Sequence, residues 1–186
     1  MNEMDISEIK KNLSEDDKLA LTIANKTVVK LAKDWQGNPC DWHSEMDIHA
    51  ELRSRLATAF SILGLERVIW ITGEQTQKIP PKVSRVECAP TWGEDKPEHK
   101  PDIVIWGEKT RSAIPDDKWP ALWACEIKYV RDTAEKDIEK LHKMIQKEDI
   151  LFGCSLSFQV GKEESIEQKS ENNVDTYKVW VPVRDC

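Results

Sequence analysis

The 186-residue sequence has little of what builds several common protein classes. Seven glycines and nine prolines are too few for a linker or a low-complexity chain, and eight tryptophans argue against disorder throughout. No apolar run approaches the roughly 20 residues that would cross a bilayer. The N-terminus is acidic and has no apolar secretion core. These absences predict a soluble, cytoplasmic globular protein with no membrane partner.

A general excess of positive charge is also missing. The chain has 27 Lys plus Arg against 34 Asp plus Glu, a net charge of −7, so a polyanion partner would need a local positive patch or a bound cation. The five cysteines are widely spaced and form no CxxC pair, which predicts buried or free thiols rather than a zinc ribbon or a disulfide framework.

Hydrophobic periodicity predicts a mixed order of helices and strands. Helices are expected over about 15–34, 44–63 and 134–147, the first two with Ser14 and Ser44 as N-caps and the second ending at Gly64. Strands are expected over 67–72, 101–106, 122–130, 151–158 and 176–183, with a further short strand at 82–88. Residues 161–175 are expected to form a charged loop.

The strand–helix–strand unit at 122–158 predicts a parallel pair joined by a crossover helix. The strands before it are joined by non-helical segments, which favours antiparallel pairing. The predicted fold class is therefore α/β (α+β), a central mixed β-sheet flanked by helices.

Charged residues stand at two places in the predicted strands where apolar residues are the rule. Asp102 follows Pro101 directly before the apolar segment 103–106, and Glu126 and Lys128 share one face of the next strand. Because an isolated buried charge is strongly unfavourable, each of these groups needs a partner. Two carboxylates from neighbouring strands offer the hard oxygen ligands of Mg²⁺ or Mn²⁺, and the lysine can orient a metal-bound water or stabilise charge on a phosphate.

This pattern, Pro101-Asp102 followed by Glu126-Ile127-Lys128, resembles the signature of the PD-(D/E)XK nuclease superfamily. The resemblance implies that Asp102 and Glu126 bind Mg²⁺ or Mn²⁺, that the Ile127 carbonyl completes the coordination, and that Lys128 positions the attacking water. It also implies phosphodiester hydrolysis in a nucleic acid, with DNA favoured over RNA.

The resemblance covers about residues 44–158. It implies a restriction-endonuclease-like core of order α-β-β-β-α-β, with an added N-terminal helix and an added C-terminal strand. The corresponding division of the chain is an N-terminal extension over 1–43, containing one helix, and a nuclease-like domain over 44–186.

The superfamily often takes one more carboxylate from the first core helix, and two residues compete for that role. Glu45 falls inside the apolar stripe of the predicted helix and lies in its first turn, where a carboxylate suits the helix dipole. Glu51 falls on the edge of the stripe. We therefore favour Glu45 as a catalytic and metal-binding residue, with Glu51 as the alternative.

The last predicted helix carries a basic stripe on an otherwise acidic protein, formed by Lys136, Lys140, Lys143 and Lys147. A solvated helix face is one explanation. The other is a ridge that contacts nucleic-acid phosphates through Lys136, Lys140 and Lys143. The four histidines show no metal-ligand spacing.

Two classes of function remain after these considerations. The first is a metal-dependent nuclease, with a homodimer or a protein partner as possible assemblies, and its variant form is a small toxin or defence nuclease that acts on RNA. The alternative is a non-catalytic, nuclease-fold interaction subunit of a larger nucleic-acid-processing or defence complex, whose acidic surface docks a protein partner. Binding of Mn²⁺ through Asp102 would distinguish them.

Overall fold

Helices cover both faces of one mixed sheet in the part of the chain that the structure describes. The structure, a computed structural model, describes residues 10–11, 13–39, 44–65, 70–73, 101–107, 121–129, 135–147, 149–161 and 163–182. The helices are α1 (Glu15–Gly37), α2 (Glu45–Ile62) and α3 (Glu135–Gln146). The strands are β1 (Trp70–Gly73), β2 (Ile103–Trp106), β3 (Ala121–Tyr129), β4 (Ile150–Gly161), β5 (Ser165–Glu171) and β6 (Val174–Pro182).

The ends of α1 and α2 follow local sequence signals. The Ser14 hydroxyl accepts a hydrogen bond from the Asp17 amide at 3.1 Å, and the Ser44 hydroxyl accepts one from the Asp47 amide at 3.2 Å. Gly64 follows α2 with φ of 69°, a left-handed conformation that glycine adopts without strain. The predicted caps and the predicted end of α2 are confirmed.

The sheet has the strand order β1-β2-β3-β4-β6-β5. Strands β1, β2 and β3 pair antiparallel, and β3 pairs parallel with β4. Helix α3 makes the crossover between this parallel pair, as the sequence predicted. Strand β4 also pairs parallel with β6, and β5 pairs antiparallel with β6. The mixed α/β class is confirmed.

The charged loop expected over 161–175 is wrong, because this segment contains β5. Strand β5 is joined to β6 by a two-residue turn at Asn172 and Asn173, with φ of 49° and 65°. Two consecutive residues with positive φ match the twist of a tight hairpin, and asparagine is a favoured residue there. Strand β5 is an edge strand with mostly exposed side chains, so it lacks the apolar alternation from which a strand is predicted.

The two faces of the sheet bury different cores. On one face, α1 and α2 pack against β2, β3, β4 and β6, with Trp35, Leu52 and Trp123 each at most 1% exposed. On the other face, Leu141 of α3 packs against Ala124 and its neighbours in a smaller core. Helix α1 therefore shares one core with α2 and the sheet, while the division of the chain after residue 43 stays a prediction.

Some expectations lie partly or wholly outside the described residues. These are the strand at 82–88, the start of the strand at 67–72 and the end of the strand at 176–183. Cys125 and Cys154 are buried free thiols, as expected. None of the described helices is long and apolar enough to span a bilayer.

Candidate metal centre

The two acidic positions singled out in the sequence meet at the junction of β2 and β3. The register of this antiparallel pair sets Ile103 opposite Cys125, so extending it by one residue sets Asp102 opposite Glu126. Both side chains are nearly enclosed, with 8% of Asp102 and 3% of Glu126 exposed. The strand order therefore places two buried carboxylates on neighbouring strands.

The Asp102 carboxylate is held in place by the backbone of the neighbouring strand. Its Oδ2 accepts a hydrogen bond of 2.6 Å from the Ile127 amide, and the His49 Nε2 lies 3.3 Å from the same oxygen. A buried carboxylate that accepts a backbone N–H keeps one orientation. The contact recorded for Ile127 is thus through its amide, while the predicted role of its carbonyl as a metal ligand stays a prediction.

Helix α2 brings two further side chains to Asp102. One potential ligand atom from each of Glu45, His49 and Asp102 lies within 4.8 Å of the others, and these three form the one such set of His, Cys, Asp and Glu within the described residues. Glu45 and His49 are four residues apart, so they lie on the same face of the helix. Sequence reasoning missed His49, although its spacing from the favoured Glu45 was the available signal.

The alternative helix carboxylate, Glu51, is engaged elsewhere. Its Oε1 accepts a hydrogen bond of 2.7 Å from Arg55 Nε, and Arg55 also pairs with Asp34 of α1 at 2.5 Å. Glu51 therefore takes part in a link between α1 and α2, and Glu45 is the one of the two candidates that lies beside Asp102.

Glu126 faces α3 rather than the His49 side of Asp102. Its Oε1 pairs with the Lys140 ammonium. Burial raises the pKa of Glu126 to about 7, with the Asp102 charge adding to the rise and the hydrogen bond from Lys140 opposing it. A carboxyl with this pKa exchanges its proton near neutral pH, so a cation at this position would compete with both a proton and Lys140.

Lys128 lies between carboxylates from two helices. Its Nζ is 3.6 Å from Glu45 Oε1 and 4.0 Å from Asp137 Oδ2. Burial alone would lower the pKa of Lys128, but the surrounding carboxylates, led by Asp137 and Glu45, outweigh it and raise the pKa. Lys128 therefore carries a positive charge at neutral pH.

The basic stripe predicted on α3 is divided between the centre and the solvent. The Lys140 side chain is only 17% exposed because it pairs with Glu126, whereas Lys143 is 54% exposed and pairs with Glu139 at 2.7 Å. Lys136 is exposed. The three lysines therefore do not present one continuous ridge.

Comparison of the chain with protein-family models, with curated proteins and with solved structures found no match. The function of the chain is therefore inferred from the geometry of these side chains and from the fold that positions them.

The donor set of Glu45, His49 and Asp102 fits a divalent cation. Two atoms bound about 2.1 Å from one ion lie about 3.0 Å apart when adjacent and at most about 4.2 Å apart when opposite. The 3.3 Å between His49 Nε2 and Asp102 Oδ2 is close to the first value. All three atoms lie within 4.8 Å of one another. Even the most widely separated pair would therefore have to approach by only about 0.6 Å to reach the roughly 4.2 Å between opposite ligand atoms.

Proposed function

We propose that the protein is a metal-dependent nuclease of the PD-(D/E)XK type, with a restriction-endonuclease-like core, which hydrolyses phosphodiester bonds in DNA. The observation that carries this proposal is the meeting of Glu45, His49 and Asp102 beside Glu126 and Lys128. These residues come from α2, from the start of β2 and from β3, so their meeting depends on the whole fold. Charged groups collected in this way, rather than dispersed, are typical of a reaction centre.

The order of elements also supports the proposal. Helix α2, strands β1, β2 and β3, helix α3 and strand β4 follow one another in the order that the superfamily resemblance implies. Helix α1 and the β5–β6 hairpin are additions on either side of that order. The agreement is one of order and pairing, so the function itself depends on the side chains of the centre.

The carboxylates and the imidazole would hold Mg²⁺ or Mn²⁺, which supplies a Lewis acid for the phosphate and lowers the pKa of a water. The Ile127 amide keeps the Asp102 carboxylate aimed at the centre. Glu126 must give up its proton and its contact with Lys140 to join the ligands. The positive charge of Lys140 could then stabilise a neighbouring phosphate oxygen.

Lys128 acts as a fixed positive charge in this arrangement. Because its pKa is raised, its ammonium remains protonated and does not serve as a general base at neutral pH. Held between Glu45 and Asp137, it can donate a hydrogen bond to the attacking water or to a phosphate oxygen on which charge develops. This electrostatic role is the one that we assign to it.

Cleavage of plasmid DNA and of labelled oligonucleotides, with Mg²⁺ or Mn²⁺, tests the proposal. Asp102→Asn, Glu126→Gln and Lys128→Met should each abolish metal-dependent cleavage while leaving the circular dichroism spectrum unchanged. Glu167→Gln, the same chemical change at an exposed position on β5, is the matched control and should cleave normally. Cleavage that persists unchanged in Asp102→Asn or in Glu126→Gln overturns the assignment.

Calorimetric titration with Mn²⁺ separates this proposal from the non-catalytic alternative. The wild-type protein should bind the ion, and Asp102→Asn should lose most of that binding. If the wild-type protein binds no divalent ion, the result favours the non-catalytic interaction subunit, in which these charged residues would have no catalytic role. RNA substrates in the same cleavage assay decide between DNA and RNA.

A further inference from the structure

A second positively charged surface lies on α1, away from the metal centre. Lys26, Lys30 and Lys33 are spaced at i, i+4 and i+7, so their side chains fall within about 60° of one another around the helix. All three are exposed, and none forms an ion pair within the described residues. This arrangement differs from that on α3, where Lys140 and Lys143 are both engaged by glutamates.

The three lysines line a groove of about 430 Å³ between α1 and the β5–β6 hairpin, which we call the α1 groove. Its lining also includes Val29, Gln168 and Tyr177, and no acidic side chain is among the described residues that line it. For a protein with a net charge of −7, a groove lined with three cations and no anion is an exception. Such a surface is complementary to a polyanion.

The floor of the groove adds a neutral hydrogen-bonding group. Tyr177 is 1% exposed, and its hydroxyl accepts a hydrogen bond of 3.3 Å from Gln168 Nε2. Burial raises the pKa of Tyr177, so the hydroxyl keeps its proton and adds no negative charge to the groove.

Helix α1, which carries the groove, packs against the strand that holds part of the metal centre. The Trp35 and Tyr129 rings meet edge to face with centroids 6.3 Å apart, and Tyr129 directly follows Lys128. The buried face of the C-terminal turns of α1 therefore lies beside the end of β3 that holds the centre, while Lys33, two residues before Trp35, lies about 200° around the helix on the exposed side. Tyr177 is on β6, two strands away from β3, a distance of about 10 Å across the sheet.

The spacing of the lysines also matches a nucleic-acid backbone. Seven residues of α-helix separate Lys26 from Lys33, a rise of about 10.5 Å. About three phosphates of one DNA strand cover the same length, since each contributes about 3.4 Å along the axis. Three lysines can therefore each neutralise one phosphate.

We propose that the α1 groove binds the phosphate backbone of the substrate nucleic acid on one side of the metal centre. The proposal depends on the proposed function for the identity of the polymer, but binding needs neither the metal nor cleavage. At the metal centre, α2 reaches Asp102 from the α1 face of the sheet and α3 reaches Glu126 from the opposite face. A nucleic-acid strand can therefore pass from the centre over the ends of the β-strands to the groove.

The test measures binding of a short labelled DNA duplex in EDTA, as a function of salt concentration. The triple variant Lys26→Gln, Lys30→Gln, Lys33→Gln should lower the slope of log K against log salt by about 2.7, or about 2.1 for single-stranded DNA. With duplex DNA, raising the salt from 50 to 200 mM should then weaken binding by the triple variant about 40-fold less than it weakens binding by the wild type. The triple Lys→Arg variant, which keeps the charges, should bind like the wild type.

The basic stripe on α3 provides the matched control. This control is a triple Lys→Gln variant of three exposed lysines in and directly after α3, namely Lys136, Lys143 and Lys147. It removes the same charge and should leave the slope unchanged. An equal fall in both variants shows a general effect of net charge and overturns the proposal, as does a fall in the α3 variant alone.

Other results separate the groove from the nuclease assignment. A protein that never cleaves but shows the expected change of slope supports the groove and counts against the nuclease. A protein that cleaves with an unaltered slope overturns the groove and leaves the nuclease assignment intact. Absence of DNA binding at 50 mM salt, with binding to phosphatidylserine vesicles that the α1 variant loses, overturns the proposal in favour of a lipid surface.

Discussion

Replacing Glu126 with glutamine tests the electrostatics of the centre without metal or substrate. The Glu126 side chain is 3% exposed and pairs with Lys140. Glutamine has nearly the same shape but cannot ionise, so the substitution removes a titrating group and adds no cavity. The change should therefore appear in how the free energy of unfolding depends on pH.

The magnitude follows from the pKa of this carboxyl. Burial, reinforced by the Asp102 charge, raises the pKa of Glu126 to about 7 from its ordinary 4.5. The folded protein thus holds the proton more tightly than the unfolded chain does. The stability gained in this way is fully present below about pH 4.5 and is lost as the pH rises through about 7. The loss amounts to about 3 kcal/mol, at 1.36 kcal/mol for each pH unit between the two values.

Urea unfolding in EDTA, repeated from pH 4.5 to pH 8, measures this effect. The wild-type protein should lose about 3 kcal/mol more than Glu126→Gln over this range, which corresponds to about 6–12 °C in Tm. The quantity to compare is the change of stability with pH. Glu126→Gln also removes the ion-pair partner of Lys140, but that loss shifts the stability of the variant by the same amount at every pH. Glu167→Gln, at an exposed position, controls for the loss of one negative charge. Stability curves of wild type and Glu126→Gln that stay parallel would refute the reasoning.

Two further substitutions test the ligand set and the packing of the sheet. His49→Gln should weaken Ni²⁺ binding by at least about tenfold, or 1.4 kcal/mol, and Mg²⁺ binding much less, because imidazole is a preferred ligand of the transition ion. Calorimetry measures the affinity for both ions. An equal loss of Ni²⁺ affinity in His142→Gln would contradict a specific role of His49. Gly161→Ala should lower the free energy of unfolding by about 1–3 kcal/mol, because the added methyl meets the Trp180 ring. Gly37→Ala, with nothing within 4 Å of the added methyl, is its control, and equal stability of the two variants contradicts the packing argument.

Much of the fold follows from patterns between residues that are close in the sequence. The periodicity of apolar residues predicted helices α1, α2 and α3, and the serine caps predicted where α1 and α2 begin. The apolar runs predicted β2, β3 and β4, and the crossover rule predicted the parallel pair. Strand β5 was missed because an edge strand buries little, so its residues are not under the constraint that produces alternation.

The sequence by itself determined that Asp102, Glu126 and Lys128 would be charged groups on adjacent strands, since strand alternation and strand order are local and topological properties. Only the tertiary structure decided that His49 joins Asp102 and that Lys140 rather than solvent meets Glu126. These contacts depend on where α2 and α3 pack on the sheet. That placement is set by the summed burial of many apolar side chains far apart in the chain, and no short motif records it.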